Sequence, residues 1–333
     1  MENLQSLAFT DVLLENGSIQ PKIILSYEVF GQPIGSVPVV LVNHALTGNS
    51  TITGENGWWQ DIIGNEKTIN TNDFTIIAFN IPGNGYDNVY ENLIPNYTDF
   101  TAKDIANIFW KGLSELNINS LFALIGGSLG GGIAWEMAAL EPNKIENLIP
   151  IATDWKATDW VIANVHVQDQ ILNNSDNPIA DARAHAMLLY RTPQSLHLKF
   201  NRSLDKTQSN FRIENWLVNH GVKLQNRFRL QSYKLMNHLL KTVDITKNGR
   251  GFLEVASAIN ANIHIIAVDT DYFYIPEENR ESVNILSTIK PNVFYHEIQS
   301  IHGHDAFLIE SNQLSKILEP IFASQKVHAT IRE

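Results

Sequence analysis

Apolar residues in this chain follow two rhythms. Short, nearly continuous apolar runs at Val37–Val42, Phe74–Phe79, Leu121–Ile125 and Ile145–Ala152 read as strands buried on both faces. Between them, Phe100–Leu116 places Ile105, Ile108, Phe109, Leu113 and Leu116 near one face of a helix, and Ile133–Leu140 is a second helical segment. Thr101 or Thr98 offers an N-cap for the first, with Asp104 near its positive end. Strand and helix therefore alternate from residue 37 to 152, the pattern of a mostly parallel sheet covered on both faces. Ahead of it, residues 4–30 read as antiparallel strands, ended by Gly31-Gln32-Pro33.

The texture changes at Asp154. Trp155–Ile171, Ile179–Leu189, Asn210–His220 and Phe228–Leu240 carry helical patterns, in a stretch holding Arg183, Arg191, Arg202, Arg212, Arg227 and Arg229. The sheet pattern resumes at Ile263–Val268 and Val293–Ile298, and Ala306–Leu318 predicts a closing helix before a frayed tail from Ser324. The expected organisation is a core over residues 1–154, a helical cap over 155–248, and the rest of the core over 249–333. Apolar surface to spare on such a cap suits a homodimer seam.

Composition narrows the function. A chain of 333 residues, 44% hydrophobic, suffices for one large core plus a smaller unit. A net charge of −11 argues against duplex nucleic acid or an anionic membrane as a general partner. With no cysteine there is no disulfide, thiolate nucleophile or zinc–thiolate site. Met1–Gln5 lacks a signal peptide's basic and apolar regions, and no stretch approaches a membrane span; the expected location is cytoplasmic. No His-Glu-x-x-His pattern occurs, and no catalytic metal is expected.

The chemistry centres on Gly126-x-Ser128-x-Gly130, between a strand and a helix. This is the spacing of a nucleophile elbow, whose glycines admit a strained serine on a tight turn. A glycine-rich packing turn is the plainer alternative; a phosphate cradle lacks its Gly-Lys-Ser/Thr. Two backbone N–H groups suit an oxyanion: Leu129, next to the nucleophile, and Leu46, in the His44–Gly48 loop after an earlier strand. His44 stands one strand early for a base and reads as a brace of that loop. Of the adjacent Trp58 and Trp59, one is expected to line a cavity. The order nucleophile, acid, base places the acid after a late strand, at Asp271 or Asp269, and the base after the last strand, at His304 or His302. We take Asp271 and His304, although spacing alone does not settle the acid. His304 would then take the proton of Ser128 for attack on an acyl carbonyl.

The match is wider than a triad. His44-Ala45-Leu46-Thr47-Gly48, Gly57-Trp58-Trp59, Gly126 to Gly131, Ala182-Arg183 through Tyr190-Arg191-Thr192, Ser232-Tyr233, Thr270-Asp271 and Gly303 to Leu308 together resemble the homoserine O-acetyltransferase family. The resemblance implies an α/β-hydrolase fold with an inserted helical cap. It implies a methionine-biosynthesis acyltransferase that takes acetyl from acetyl-CoA onto the serine and passes it to L-homoserine, without a bound cofactor. It favours Asp271 and His304, and assigns Arg183 to the homoserine carboxylate and Asp305 to its amine. A zwitterion needs one cation and one anion, and an arginine fork suits a carboxylate; a surface salt bridge and a helix-terminal acid are the plainer readings. Two segments depart from the family: residues 80–88 replace a Gly-Ser-Thr-Gly-Pro stretch, and the cap is shortened between Ile171 and Ile179. Relatives moving succinyl or accepting on serine, and a plain serine esterase, are the alternatives, with a non-catalytic scaffold behind them.

Overall fold

The computed structural model describes residues 3–207, 209–247 and 249–330, with side chains to residue 323. In chain order the strands are β1 (Gln5–Leu13), β2 (Ile19–Gly31), β3 (Val39–Asn43), β4 (Ile63–Gly64), β5 (Ile69–Asn70), β6 (Thr75–Phe79), β7 (Leu121–Gly127), β8 (Ile145–Ile151), β9 (Asn262–Val268) and β10 (Val293–Ile298). Eight of them form one sheet in the order β1-β2-β6-β3-β7-β8-β9-β10, and β4 pairs with β5 apart from it. The two junctions involving β2 are antiparallel and the others parallel.

Register decides where the site can form. Asn43 pairs with Gly126, Gly127 with Ile151, Ile151 with Ile266, and Val268 with Ile298. The C-terminal ends of β3, β7, β8, β9 and β10 therefore lie along one edge, where open α/β sheets bind ligands. The expected continuous apolar runs are explained by burial on both faces: every residue of β3, β6 and β7 is buried. Leu124 belongs to the core shared with Leu113, while Ile125 joins the one with Ile298 and Leu318.

The helices are α1 (Ala102–Glu115), α2 (Leu129–Leu140), α3 (Asp159–Asn174), α4 (Pro178–Tyr190), α5 (Pro193–Phe200), α6 (Arg212–Gln225), α7 (Leu230–Leu240), α8 (Phe252–Ala258), α9 (Pro276–Leu286), α10 (Ala306–Ile309) and α11 (Ser311–Thr330). Thr101, not Thr98, caps α1: its hydroxyl accepts from the Asp104 N–H at 3.2 Å, and Asp104 returns a bond to the Thr101 N–H at 2.9 Å. The segment from Trp155 becomes helical only at Asp159, because Thr158 caps there and Lys156 is drawn into a bridge with Asp244. Helix α5 was not expected, yet Thr192-Pro193 is an N-cap followed by proline at the first helical position. The single closing helix is broken: a 3₁₀ turn at Gly303–Asp305 precedes α10, and α11 starts afresh at Ser311. The backbone from Ser324 stays helical to Thr330, and the end of the expected frayed tail, residues 331–333, lies outside the described residues. Among the described residues no helix is long and apolar enough to cross a membrane.

Glu136 ties α2 to the chain that follows α7. It is buried in α2 and accepts from the Asp244 N–H at 2.8 Å. Burial pushes its carboxyl up to about 7, against the opposing pull of that N–H. A carboxylate raised on folding holds its proton better in the native state. The Glu136 contribution to stability is therefore greatest below the ordinary carboxylate range and falls as pH rises from there through about 7. The loss is on the order of 3 kcal/mol once the group is ionised. Urea melts of Glu136→Gln against the unsubstituted protein should show this slope removed between pH 5 and pH 7.5, each value being about that of the titration window.

Candidate active site

Ser128 sits between β7 and α2 with φ 54° and ψ −123°, a conformation few non-glycine residues adopt. The turn is possible because its neighbours lack side chains. A Cβ on Gly126 would stand 2.4 Å from the Gly130 carbonyl oxygen, and one on Gly130 2.4 Å from that of Asn43. Asn43 fastens β3 to the same turn through its amide, 3.3 Å from the Gly130 oxygen.

Three expected residues meet at the sheet edge. His304 Nε2 lies 2.9 Å from Ser128 Oγ, and its Nδ1 lies 2.7 Å from Asp271 Oδ2. Asp271 is held in turn: its Oδ1 accepts from the N–H groups of Phe273 at 2.7 Å and Tyr274 at 3.0 Å. Asp269 does not share this position. The strand geometry ends at Val268, and Asp269 Oδ1 accepts from the Ser300 N–H at 2.8 Å. His302 likewise turns away, its Nδ1 3.0 Å from Arg191 Nη2.

The oxyanion candidates flank the serine in sequence and space. Leu129 opens α2 and Leu46 is buried in the loop after β3. Among the described residues, neither N–H donates to a protein acceptor. His44 braces the Leu46 loop. Its Nδ1 lies 2.7 Å from the Ala45 carbonyl, and Nε2 accepts from the Ile81 N–H at 3.0 Å. Burial pushes its pKa down to about 4, so it is neutral near pH 7 and both nitrogens are committed. Residues 80–81 thus support the loop after β3: besides Ile81, Asn80 Oδ1 accepts from the Ser50 N–H at 2.9 Å. Trp59 is core, its indole N–H 3.3 Å from the Phe307 carbonyl, while Trp58 is half-buried beside it.

Arg183 projects from α4, its guanidinium 5.7 Å from the Tyr190 ring centre. Tyr190 in turn lies 5.3 Å from the His304 ring. Burial pushes the Asp305 carboxyl up, opposed by the charges of Arg183, His304 and Arg191. Arg183 and Asp305 thus feel one another without forming an ion pair. Sequence reasoning missed the aromatic wall. Tyr190, Phe273, Tyr274 and Phe307 all lie within 5.8 Å of the His304 ring, centre to centre. Burial pushes the Tyr190 hydroxyl up to about 12. The run Tyr272-Phe273-Tyr274 just after Asp271 was the available signal.

An elbow serine, a histidine and a buried carboxylate at the edge of this sheet define the α/β-hydrolase class, built for acyl transfer. A family model described as alpha/beta hydrolase fold matches residues 38–234. A homoserine O-acetyltransferase of Cyclobacterium marinum is 34% identical over 93% of this chain and 92% of its own. One from Methanococcus vannielii is 32% identical over 95% of this chain and 72% of its own. The chain belongs to the homoserine O-acetyltransferase family. Among solved structures, a homoserine O-acetyltransferase from Bacillus anthracis superposes with a TM-score of 0.83 at 20% identity, covering 97% of this chain and 98% of that one. Esterase E22 superposes with a TM-score of 0.84 at 17% identity, covering 96% and 100%. At such identities these two speak for the fold alone, which serves transferase and esterase alike.

The contacts separate the two aspartates experimentally. Asp271→Asn should lower kcat about 10⁴-fold by spoiling the histidine tautomer. Asp269→Asn, which touches only the loop backbone, should cost no more than about tenfold. Equal losses in steady-state kinetics would contradict the assignment.

Proposed function

We propose that this chain transfers the acetyl group of acetyl-CoA to the hydroxyl of L-homoserine through an acetyl-Ser128 intermediate. The observation that carries the reading is the unbroken relay Ser128–His304–Asp271 in a chain of this family, with both distances within hydrogen-bond range. His304 takes the Ser128 proton as Oγ attacks the thioester carbonyl. Asp271 orients the imidazole and stabilises its cationic form. The N–H groups of Leu46 and Leu129 receive the oxyanion, and CoA leaves as its thiol, taking the proton from His304. His304 next takes the homoserine hydroxyl proton, and that oxygen attacks the acetyl-enzyme. Collapse frees O-acetylhomoserine and returns the proton to Ser128. Acetyl-CoA is a co-substrate here, and no bound cofactor enters the cycle.

Homoserine arrives as a zwitterion. In this reading Arg183 pairs with its carboxylate and Asp305 with its ammonium. Their partial burial and the absence of an ion pair between them support it, since both charges remain available to a ligand. Acceptor choice then depends on these two groups holding a hydroxyl over the acetyl-serine where water would otherwise attack.

The reading includes a helical cap at residues 155–248 between core segments 1–154 and 249–333. It also includes a cytoplasmic homodimer joined through that cap. Exposed Trp160, Val167, Leu188, Val218 and Val222 on α3, α4 and α6 favour a cap seam. Light scattering after gel filtration should give twice the chain mass, and a monomer would remove the seam from the account.

Steady-state release of free CoA from acetyl-CoA tests the reaction. Release should depend on L-homoserine; the same rate without an acceptor would make the protein a thioesterase. Ser128→Ala should lose about 10⁴- to 10⁶-fold in kcat. Arg183→Met should lower kcat/KM for homoserine about 10- to 100-fold, the value of a charge-assisted hydrogen bond. An unchanged KM and kcat in that variant would place the carboxylate elsewhere.

A further inference from the structure

The rejected base candidate has partners of its own. His302 Nδ1 lies 2.9 Å from Ser195 Oγ and 3.0 Å from Arg191 Nη2, and that same Nη2 donates to Ser195 Oγ at 2.6 Å. One residue on, the Thr192 hydroxyl donates to the Ile301 carbonyl. A Cβ on Gly303, whose φ is +68°, would stand 3.2 Å from the Tyr190 carbonyl oxygen and 3.3 Å from Thr192 Cγ2. The loop at 300–303 is thus pressed against residues 190–195, where α4 passes into α5. On its other side the loop is held by the strand that supplies the acid. Asp269 Oδ1 accepts from the Ser300 N–H at 2.8 Å, and Thr270 Oγ1 accepts from the Gly303 N–H at 3.2 Å. His304 follows directly.

We propose that Arg191 is a positioning residue for His304, gripping the His302 ring from the cap side so that the base stands in line with Ser128. The inference rests on His304 being the base. Arg191 has no hydrogen bond to Ser128, Asp271 or His304, so it acts through the loop. A guanidinium can only donate, so in the Arg191 contact His302 Nδ1 is the acceptor. The guanidinium suits the task because one planar nitrogen reaches two acceptors at once; a lysine reaches the same place as a point charge. Ser195 is 1% exposed and Thr192 3%, so the α5 side of the grip is buried, while Arg191 and His302 themselves are half-buried. Position of the cap and placement of the base are thereby one mechanical unit. The two candidates that spacing left open, Asp269 and His302, become the opposite sides of a clamp.

The test measures kcat, KM for both substrates, and melting temperature in the full-length protein. Arg191→Met should lower kcat about 10- to 100-fold, the cost of misplacing a catalytic group by about 1 Å. KM for homoserine and for acetyl-CoA should stay within about twofold, since no binding group is lost. His302→Leu should reproduce that loss. His302→Asn, whose amide oxygen can stand where Nδ1 stood, should recover most of it. The Arg191→Met/His302→Leu double variant should lose no more than either single one, because both break one contact. Should Arg191→Met fail to fold, Ser195→Ala, which removes one hydroxyl, is expected to lower kcat about threefold at unchanged KM. Three results would overturn the proposal: wild-type kcat in the Arg191 and Ser195 variants, a loss residing in KM, or multiplicative losses in the double variant. A Ser128→Ala protein that still turns over would instead sink the underlying triad.

Discussion

Everything at this site depends on one close approach, that of β3, β7 and the start of α2 around Ser128. The serine's backbone, at φ 54° and ψ −123°, costs roughly 1–3 kcal/mol of strain that surrounding packing must offset. The offset comes from a fully buried sheet centre and from a turn with no side chain at Gly126 or Gly130. In return Oγ is held at the sheet edge beside the first N–H groups of a helix, where an anion is favoured. Without that approach the loop after β3 would not stand next to Ser128 at all.

The other parts are ordered by distance from this turn. Two loops at the ends of β9 and β10 carry Asp271 and His304, and the register of these strands sets the loops side by side. Asp271 is fixed by two backbone N–H groups, so the imidazole it orients has little freedom. Aromatic rings then close round His304, lowering the local dielectric and strengthening the electrostatics among the three residues. Helix α4 contributes Tyr190 to this enclosure, with Arg183 against its ring, and the chain running into α5 reaches the His304 loop through Arg191, Thr192 and Ser195.

Much of this was legible in the sequence because it follows from short-range rules. Runs such as Leu121–Ile125 could only be buried strands, and the spacing of Gly126, Ser128 and Gly130 has few uses. Thr98 against Thr101 was undecidable by type and was settled by which side chain reaches the Asp104 N–H. Asp269 against Asp271 was undecidable for another reason. Two residues apart, they would share a face only if the strand continued past them, and β9 stops at Val268. The break at Glu310 and the core position of Trp59 were illegible because long-range packing decides them: Trp59 reports to Phe307, far along the chain. Arg191 illustrates the same limit. As a residue type it suits a substrate anion as well as a loop contact, and only the fold shows His302 beside it.

The central claim is that Ser128 carries the acetyl group between two substrates. Intact-mass and peptide mass spectrometry of the protein mixed with acetyl-CoA alone tests it most directly. The account predicts one acetyl group per chain, on Ser128, discharged on adding L-homoserine much faster than in buffer. Transfer to homoserine that proceeds with no acetyl group ever found on Ser128, or an acetyl-enzyme that buffer discharges as fast as homoserine does, would contradict it.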